Sequence, residues 1–206
     1  MKKVPNIYRR TESKELLVGE WNPLCLWVRD GEGIATRKWD GAACMVRGGV
    51  LFKRYDAKWA KGTKEYKTPP SGWEPCQDPD PITGHWPGWV PCRLEAPEDR
   101  WFWEGFDGQP YDHEPPHTDG TYELCGPKVG GNPEDIARHV LIPHGKDLVS
   151  MCSLVPGTDL DDVIRELLTE TVMEGVVFHH AGGDGRMAKI RRGDLGLPWP
   201  VKAVQQ

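Results

Sequence analysis

Short apolar or alternating runs, bounded by turns rich in glycine and aspartate, dominate the front of the chain. They predict strands over residues 24–28, 33–37, 42–47 and 50–55. Ahead of them residues 1–21 read as a polar lead-in with a short helix around 12–17. Periodicity lapses over residues 67–117, a Pro/Trp-rich stretch broken only by a short strand expected at Trp101-Phe102-Trp103. An irregular segment of that length is expected to be a lid or a packed layer of loop. Alternation returns as strands over 121–125 and 140–142. Between them Asn132 as N-cap, Pro133 at the first helical position and the acidic pair Glu134-Asp135 predict a short helix through Arg138. After Gly157, Thr158 or Asp159 caps a helix in which Leu160, Val163, Ile164, Leu167 and Leu168 recur at helical spacing, so it packs on a sheet. Strands over 174–179 and 187–191 follow, joined around Gly182-Gly183-Asp184-Gly185. The expected architecture is α+β with largely antiparallel sheets, one domain over 1–206 carrying an insertion at 68–117.

Composition sharpens this outline. A chain of 206 residues suits one domain with a real core. Its 38% hydrophobic content, mean hydropathy of −0.59, 19 prolines and 24 glycines require long polar connections between core elements. No apolar run reaches the roughly 20 residues of a membrane helix, and the first residues hold no signal-peptide core. No membrane partner and a cytoplasmic location are therefore expected. The six cysteines lack the close pairing of zinc fingers. Cys76 and Cys92 bracket His85, and His113 or His117 would complete a zinc site; reduced thiols are the default expectation.

The net charge of −5 argues against a nucleic-acid partner until its distribution is read. Between Lys53 and Lys67 stand Lys53, Arg54, Lys58, Lys61, Lys64 and Lys67 against only Asp56 and Glu65. Tyr55, Trp59 and Tyr66 are interleaved, so the stretch is expected to track phosphates while rings stack on unpaired bases. The RNA contacts expected are Lys53, Lys58, Lys61 and Lys64, joined by Arg192 from a second basic cluster with Arg186, Lys189 and Arg191. The acidic residues 95–119 are expected to face away from it.

The chemistry begins at Lys38-Trp39-Asp40-Gly41. A lysine amine attacks phosphorus only when deprotonated, and a free lysine titrates near ~10.4, so a nucleophilic lysine needs desolvation or nearby cations. Ile34 and Ala35 before it and Ala42 to Val46 after it set this lysine between two apolar runs, with Asp40-Gly41 as the turn. Downstream, Glu174 suits a hard cation such as Mg²⁺, and Lys189 and Arg191 alternate on one strand so that both address phosphate from one face. Arg54 ends a neighbouring strand, and Glu123 is placed to accept from ribose hydroxyls. Singly, each of these residues is more often a solvated charge; their ordered succession is what points to nucleotidyl transfer.

That succession resembles the covalent nucleotidyltransferases, the superfamily of ATP-dependent DNA and RNA ligases and mRNA capping enzymes. Lys38-Trp39-Asp40-Gly41 is similar to its motif I, Glu123 to motif III, Glu174-Gly175 to motif IV and Lys189-Ile190-Arg191 to motif V. The likeness narrows to the small 5′-to-3′ RNA ligase family of animals. It is carried by Gly31-Glu32-Gly33-Ile34-Ala35-Thr36, Gly84-His85-Trp86-Pro87-Gly88-Trp89-Val90-Pro91, Gly130-Gly131-Asn132-Pro133, Leu141-Ile142-Pro143-His144-Gly145 and Gly196-Leu197-Pro198-Trp199-Pro200.

The resemblance covers roughly residues 25–200 and implies a ligase adenylation-domain fold whose sheets flank a nucleotide cleft. It implies Lys38 as the nucleophile, carrying AMP from ATP, with Mg²⁺ or Mn²⁺ held by Glu174. Cofactor contacts are implied from Thr36, Arg37, Asp40, Gly41, Arg54, Glu123, Glu174, Val176, Lys189 and Arg191. The implied partner is RNA with 5′-phosphate and 3′-hydroxyl ends. Relatives commonly place Glu before the nucleophile where this chain has Arg37, and His139 or Ile142 stands where an adenine-stacking aromatic is expected. The chain ends soon after motif V, so no appended oligonucleotide-binding domain is expected, which favours RNA ligase over DNA ligase or guanylyltransferase. With no motif VI, Arg37, Arg191 and Arg192 are the candidates for orienting pyrophosphate. A non-catalytic RNA- or nucleotide-binding module is the alternative from another class.

Overall fold

The computed structural model describes residues 2–11, 13, 15–81, 84–108, 117–151 and 159–201. In chain order the strands are β1 (Tyr8–Arg10), β2 (Leu16–Trp21), β3 (Gly33–Lys38), β4 (Ala42–Arg47), β5 (Val50–Ala57) and β6 (Glu74–Pro75). Then come β7 (Trp86–Pro91), β8 (Gly120–Cys125), β9 (Val140–Pro143), β10 (Gly175–His180) and β11 (Met187–Arg191). The α-helices are α1 (Leu26–Arg29), α2 (Arg100–Asp107) and α3 (Leu160–Glu170). The chain groups into two compact units: Met1–Lys3 with Asp40–His144, and Val4–Trp39 with Gly145–Gln206.

The unit built on Asp40–His144 is an antiparallel sheet in the order β6-β7-β5-β4-β8-β9. Period-two alternation turns Cys44, Val46, Leu51, Tyr122, Leu124 and Leu141 to one face, where Trp101, Phe102 and Phe106 of α2 cover them. Fully burying a large apolar side chain contributes roughly 1.5–3 kcal/mol, against about 0–1 for an exposed ion pair, so this face holds the unit together. The expected insertion is a packed part of it: β7 pairs with both β5 and β6, and α2 lies on the core.

The other unit centres on the antiparallel sheet β11-β10-β3. Val176, Phe178, Ala188 and Ile190 on one face share a core with Trp27 and Val28 of α1 and with Ile164 and Leu168 of α3. Asp159 caps α3 by accepting from Asp161 N, as its sequence predicts. The N-terminal segment is structural and not merely a lead-in. Asn6 bridges Lys189 in parallel, with Ile7 N donating to Lys189 O (3.0 Å) and Lys189 N to Pro5 O (2.9 Å).

Four expectations are corrected. Residues 24–28 are not a strand: Asn22 accepts from Leu24 N, Pro23 follows, and a 3-10 turn runs into α1. Trp101-Phe102-Trp103 lies in α2, entered through the turn at Pro97–Asp99. Asn132-Pro133 opens no helix, because Asn132 and Asp135 both take positive φ (55° and 52°) and the Asn132 side chain holds Ile136 N and O in a loop. The expected lead-in helix is not formed at residues 16–17, which begin β2, and its other described residues, 13 and 15, are turn and irregular backbone. Glu12, His113, Gly157 and Thr158, named in the sequence expectations, lie outside the described residues.

Candidate active site

Lys38 is the last residue of β3 and stands in register with Gly175, which in turn opposes Arg191 on β11. One row further along, Thr36 opposes Val177 and Val177 opposes Lys189. Because side chains alternate across a strand, Thr36, Lys38, Lys189 and Arg191 belong to a single face of the sheet. Gly175 is glycine for a steric reason. A Cβ there would stand 2.2 Å from Ile190 O, so only a bare backbone lets β10 pass β11 at the height of Lys38.

Immediately before β10, Glu174 accepts a hydrogen bond and ion pair from Lys38 Nζ, which also donates to Trp39 O (3.3 Å). The carboxylate is buried and the lysine half-buried. Lys189 is held below the ordinary lysine range, first by burial and then by the charges of Lys38 and Arg191; Glu174 and Asp194 pull the other way. Lys38, Glu174 and Lys189 are thus brought together electrostatically, as the sequence suggests. Arg191 shares their face and pairs with Asp194 through Nε (3.1 Å) and Nη2 (3.0 Å).

Other expected contacts are placed differently. Val176 is 0% exposed and points into the core, since the alternation that aims Lys189 outward turns Val176 and Ile190 inward; Val177 is the residue on the lysine's face. Thr36 is buried and donates its hydroxyl to Val177 O (3.1 Å). Arg37 lies with its guanidinium 4.0 Å over the Trp39 ring and donates to Val172 O, while Trp39 Nε1 donates to Asp147 Oδ2 (2.5 Å). Arg192, expected against RNA, is buried and donates to the carbonyls of Leu168, Thr171 and Pro198. That position removes it from any exposed basic surface.

In the Asp40–His144 unit the turn after the lysine motif is pinned by acids. Asp40 N donates to Glu134 Oε1 (2.9 Å), and Gly41 N donates to Glu123 Oε1 (3.0 Å). A Cβ on Gly41 would stand 2.1 Å from Leu124 O, so glycine is required where the turn crosses β8. The second oxygen of Glu123 meets His144 Nε2 at 2.9 Å, and His144 Nδ1 meets Thr121 Oγ1 at 3.0 Å. His144 is a site residue that the sequence presents only as one letter of a longer string; an isolated histidine gives no signal until register sets it beside a carboxylate.

Arg54 donates to Asp56 (3.0 Å) and lies over Trp89. Lys53 alternates to the face opposite Arg54 and pairs with the buried Asp99, so it does not join the exposed lysines of the loop. Lys58, Lys61 and Lys64 are exposed. The rings between them partner one another: Trp59 with Tyr66, Tyr66 with Trp86, Trp86 with Trp73, while Gly84 lies flat on Trp59. These contacts are tilted or edge-on, and Tyr55, Trp59 and Tyr66 are each half-buried. His139 is buried against Trp101 (4.7 Å, stacked) with Nδ1 at Glu104, and Ile142 is buried on the strand beside Glu123, so neither presents an open ring to adenine. Among the described residues no three His, Cys, Asp or Glu side chains converge as a metal cage, and no helix is long and apolar enough to cross a membrane.

A family profile described as RNA ligase 1 matches residues 116–205. The chain is similar to RNA ligase 1 of Rattus norvegicus, 26% identical over 226 aligned positions that cover 82% of this chain and 69% of the relative. It is 27% identical to RNA ligase 1 of Pongo abelii over 67% of this chain, which spans 51% of that relative's length. A shorter match to RNA ligase 1 of Danio rerio reaches 37% identity over 39% of this chain and 26% of the relative.

Proposed function

We propose that this chain, whose relatives support its assignment to the RNA ligase family, is an ATP-dependent 5′-to-3′ RNA ligase working through a lysyl-AMP intermediate. The observation that carries the reading is that Lys38 and Lys189 share one sheet face while Glu174, just before β10, is ion-paired with Lys38. A half-buried amine against a buried acid, with a second amine beside it, is a costly arrangement for a structural ion pair and a useful one for phosphoryl transfer.

In the first step Lys38 Nζ attacks the α-phosphorus of ATP. A P–N bond forms, the bond to pyrophosphate breaks and the amine proton leaves. A 5′-phosphate oxygen of RNA then attacks the same phosphorus and releases the lysine amine. Finally a 3′-hydroxyl displaces AMP from that 5′ end, and the phosphodiester forms. Lys189 offsets charge on the α-phosphate in both adenylyl transfers, where a pre-placed cation lowers the barrier without reorganising.

Mg²⁺ is commonly held by one or two carboxylates together with substrate phosphates and water. Glu174 fits that use, being one buried acid beside the nucleophile and, among the described residues, not part of an all-protein cage. Bound there, the ion would neutralise charge on the triphosphate. Glu174 also holds Lys38 Nζ in place before nucleotide arrives.

Incubation with ATP and Mg²⁺ followed by intact-mass measurement tests the reading. The wild type gains one AMP moiety, and Lys38→Ala gains none. GTP in place of ATP, and nicked DNA in place of nicked RNA, separate guanylyltransferase and DNA ligase from RNA ligase. An unmodified wild-type chain would leave a non-catalytic binding module; an adduct persisting in Lys38→Ala would remove the assigned nucleophile.

A further inference from the structure

Both neighbours of Lys38 are held by one acid. Asp147 lies on the short segment that bridges β3 between Thr36 and Leu148, 108 residues beyond Trp39 in sequence. Its backbone O accepts from Arg37 N at 2.8 Å, and its Oδ2 accepts from Trp39 Nε1 at 2.5 Å. On the same segment Val149 N donates to Ala35 O at 2.9 Å, so Asp147 is laid against β3 by main-chain bonds on both sides of Leu148. The residue before the lysine is gripped through its backbone, and the residue after it through its side chain.

The grip has a physical basis. The Trp39 ring is 7% exposed, and a buried indole N–H requires an acceptor. A carboxylate supplies a charge-assisted hydrogen bond, roughly twice as strong as a neutral one. The ring is also covered by Arg37, whose guanidinium lies 4.0 Å from its centroid and donates to Val172 O at 3.0 Å, two residues ahead of Glu174. The clamp therefore reaches both backbone segments that deliver the ion pair, β3 for Lys38 and the approach to β10 for Glu174. Trp39 O accepts from Lys38 Nζ at 3.3 Å, so the backbone of residue 39 is one of the rests of the amine. Freeing the indole removes a restraint on that backbone and loosens the rest.

We propose that Asp147 is a positioning residue for the lysine nucleophile: it anchors Arg37 and Trp39 on either side of Lys38 and so fixes where the amine stands. This role rests on the ligase reading, since only a reacting amine needs its place held so closely. A misplacement of about 1 Å costs up to about a hundredfold in rate, so an anchor that acts through Trp39 governs the chemical step without touching the nucleotide.

The test is single-turnover adduct formation from ATP and Mg²⁺ by the full chain, in wild type, Asp147→Ala, Asp147→Asn, Trp39→Phe and the double variant Asp147→Ala/Trp39→Phe. Asp147→Ala is expected to lower the saturating rate constant about ten- to a hundredfold. The ATP concentration giving half the maximal rate should change little, the pattern of lost orientation and not of lost binding. Asp147→Asn keeps an acceptor oxygen for the indole and should restore most of the rate. Trp39→Phe keeps a ring but removes the donor, so it should slow the step as Asp147→Ala does. The double variant should be no slower than the slower single one, because both changes break the same hydrogen bond. An unchanged rate constant in Asp147→Ala overturns the proposal, as do effects that multiply in the double variant. A smaller fraction of Asp147→Ala chains reacting at the wild-type rate also overturns it, since Asp147 would then serve folding alone. A wild type that forms no adduct refutes the ligase reading and takes the anchor's use with it; a wild type that forms adduct no faster than Asp147→Ala refutes the anchor alone.

Discussion

At the scale of single residues the lysine motif is governed by what cannot be added to it. Gly41 donates its N–H to Glu123 while its α-carbon passes so close to β8 that a methyl group would fall 2.1 Å from Leu124 O. Leu124 O belongs to a ladder pair with Ala42 and cannot swing aside as a long side chain would. Overpacking commonly costs about 1–3 kcal/mol, and a clash with fixed backbone belongs at or above the top of that range. Gly41→Ala is therefore expected to lower the melting temperature by about 6 °C or more, at roughly 2–4 °C per kcal/mol for a chain of this size. Gly193→Ala, where nothing stands within 4 Å, should shift it far less. Comparable melting temperatures for the two would refute the steric account. The lysine, Glu174 and Lys189 were legible in sequence because their residue types and order match a known chemistry. The contact of His144 with Glu123 was not, because it comes from strand register and not from any local motif.

Elements were legible where one period dominated. Residues 42–47 emerged with the predicted bounds, and α3 followed its Leu160–Leu168 stripe and Asp159 cap. The misreadings share a cause: a short apolar run fits a strand or a helical turn equally well, and flanking residues must decide. Asn22-Pro23 and Pro97-Glu98-Asp99 were such helical start signals, whereas Asn132-Pro133 was outweighed by residues that tolerate positive φ. The basic loop over 58–67 is a mixed case. Its lysines are exposed, and its rings contact one another at tilted angles while staying half-buried. An exposed lysine strip that met RNA phosphates would bind in a way that depends on salt and is indifferent to sequence. Lys61→Glu/Lys64→Glu should weaken single-stranded RNA binding and reduce the slope of log affinity against log salt by about 1.4 or more, near 0.7 for each phosphate no longer neutralised. Filter binding across a salt series reads both, and an unchanged slope would exclude the loop from the RNA footprint.

For the whole molecule, the chain groups into two compact units, and the motif tetrad is divided between them: Lys38-Trp39 belongs to one and Asp40-Gly41 to the other. Linear motif order concealed this, since it reports succession along the chain and not which core each residue joins. Global stability registers the cationic face directly through Lys189. Burial, and then Lys38 and Arg191, depress its titration in the folded state below the roughly 10.4 of an unfolded lysine. Between those two values the unfolded chain binds more protons than the folded one, so this group's contribution to stability rises with pH across that window. Below the folded value the penalty of holding a charged Lys189 is present in full. Replacing the amine by an isosteric apolar chain relieves that penalty, so Lys189→Met is expected to be more stable than wild type near pH 7. Its advantage should shrink as pH approaches 10.4, while adduct formation is impaired at every pH, the trade of stability against function common where an active site concentrates like charge. Urea midpoints at pH 7 and pH 10 measure the difference; a variant less stable than wild type at pH 7, or an advantage that grows with pH, would show that Lys189 supports the fold and is not a cation held there at a cost.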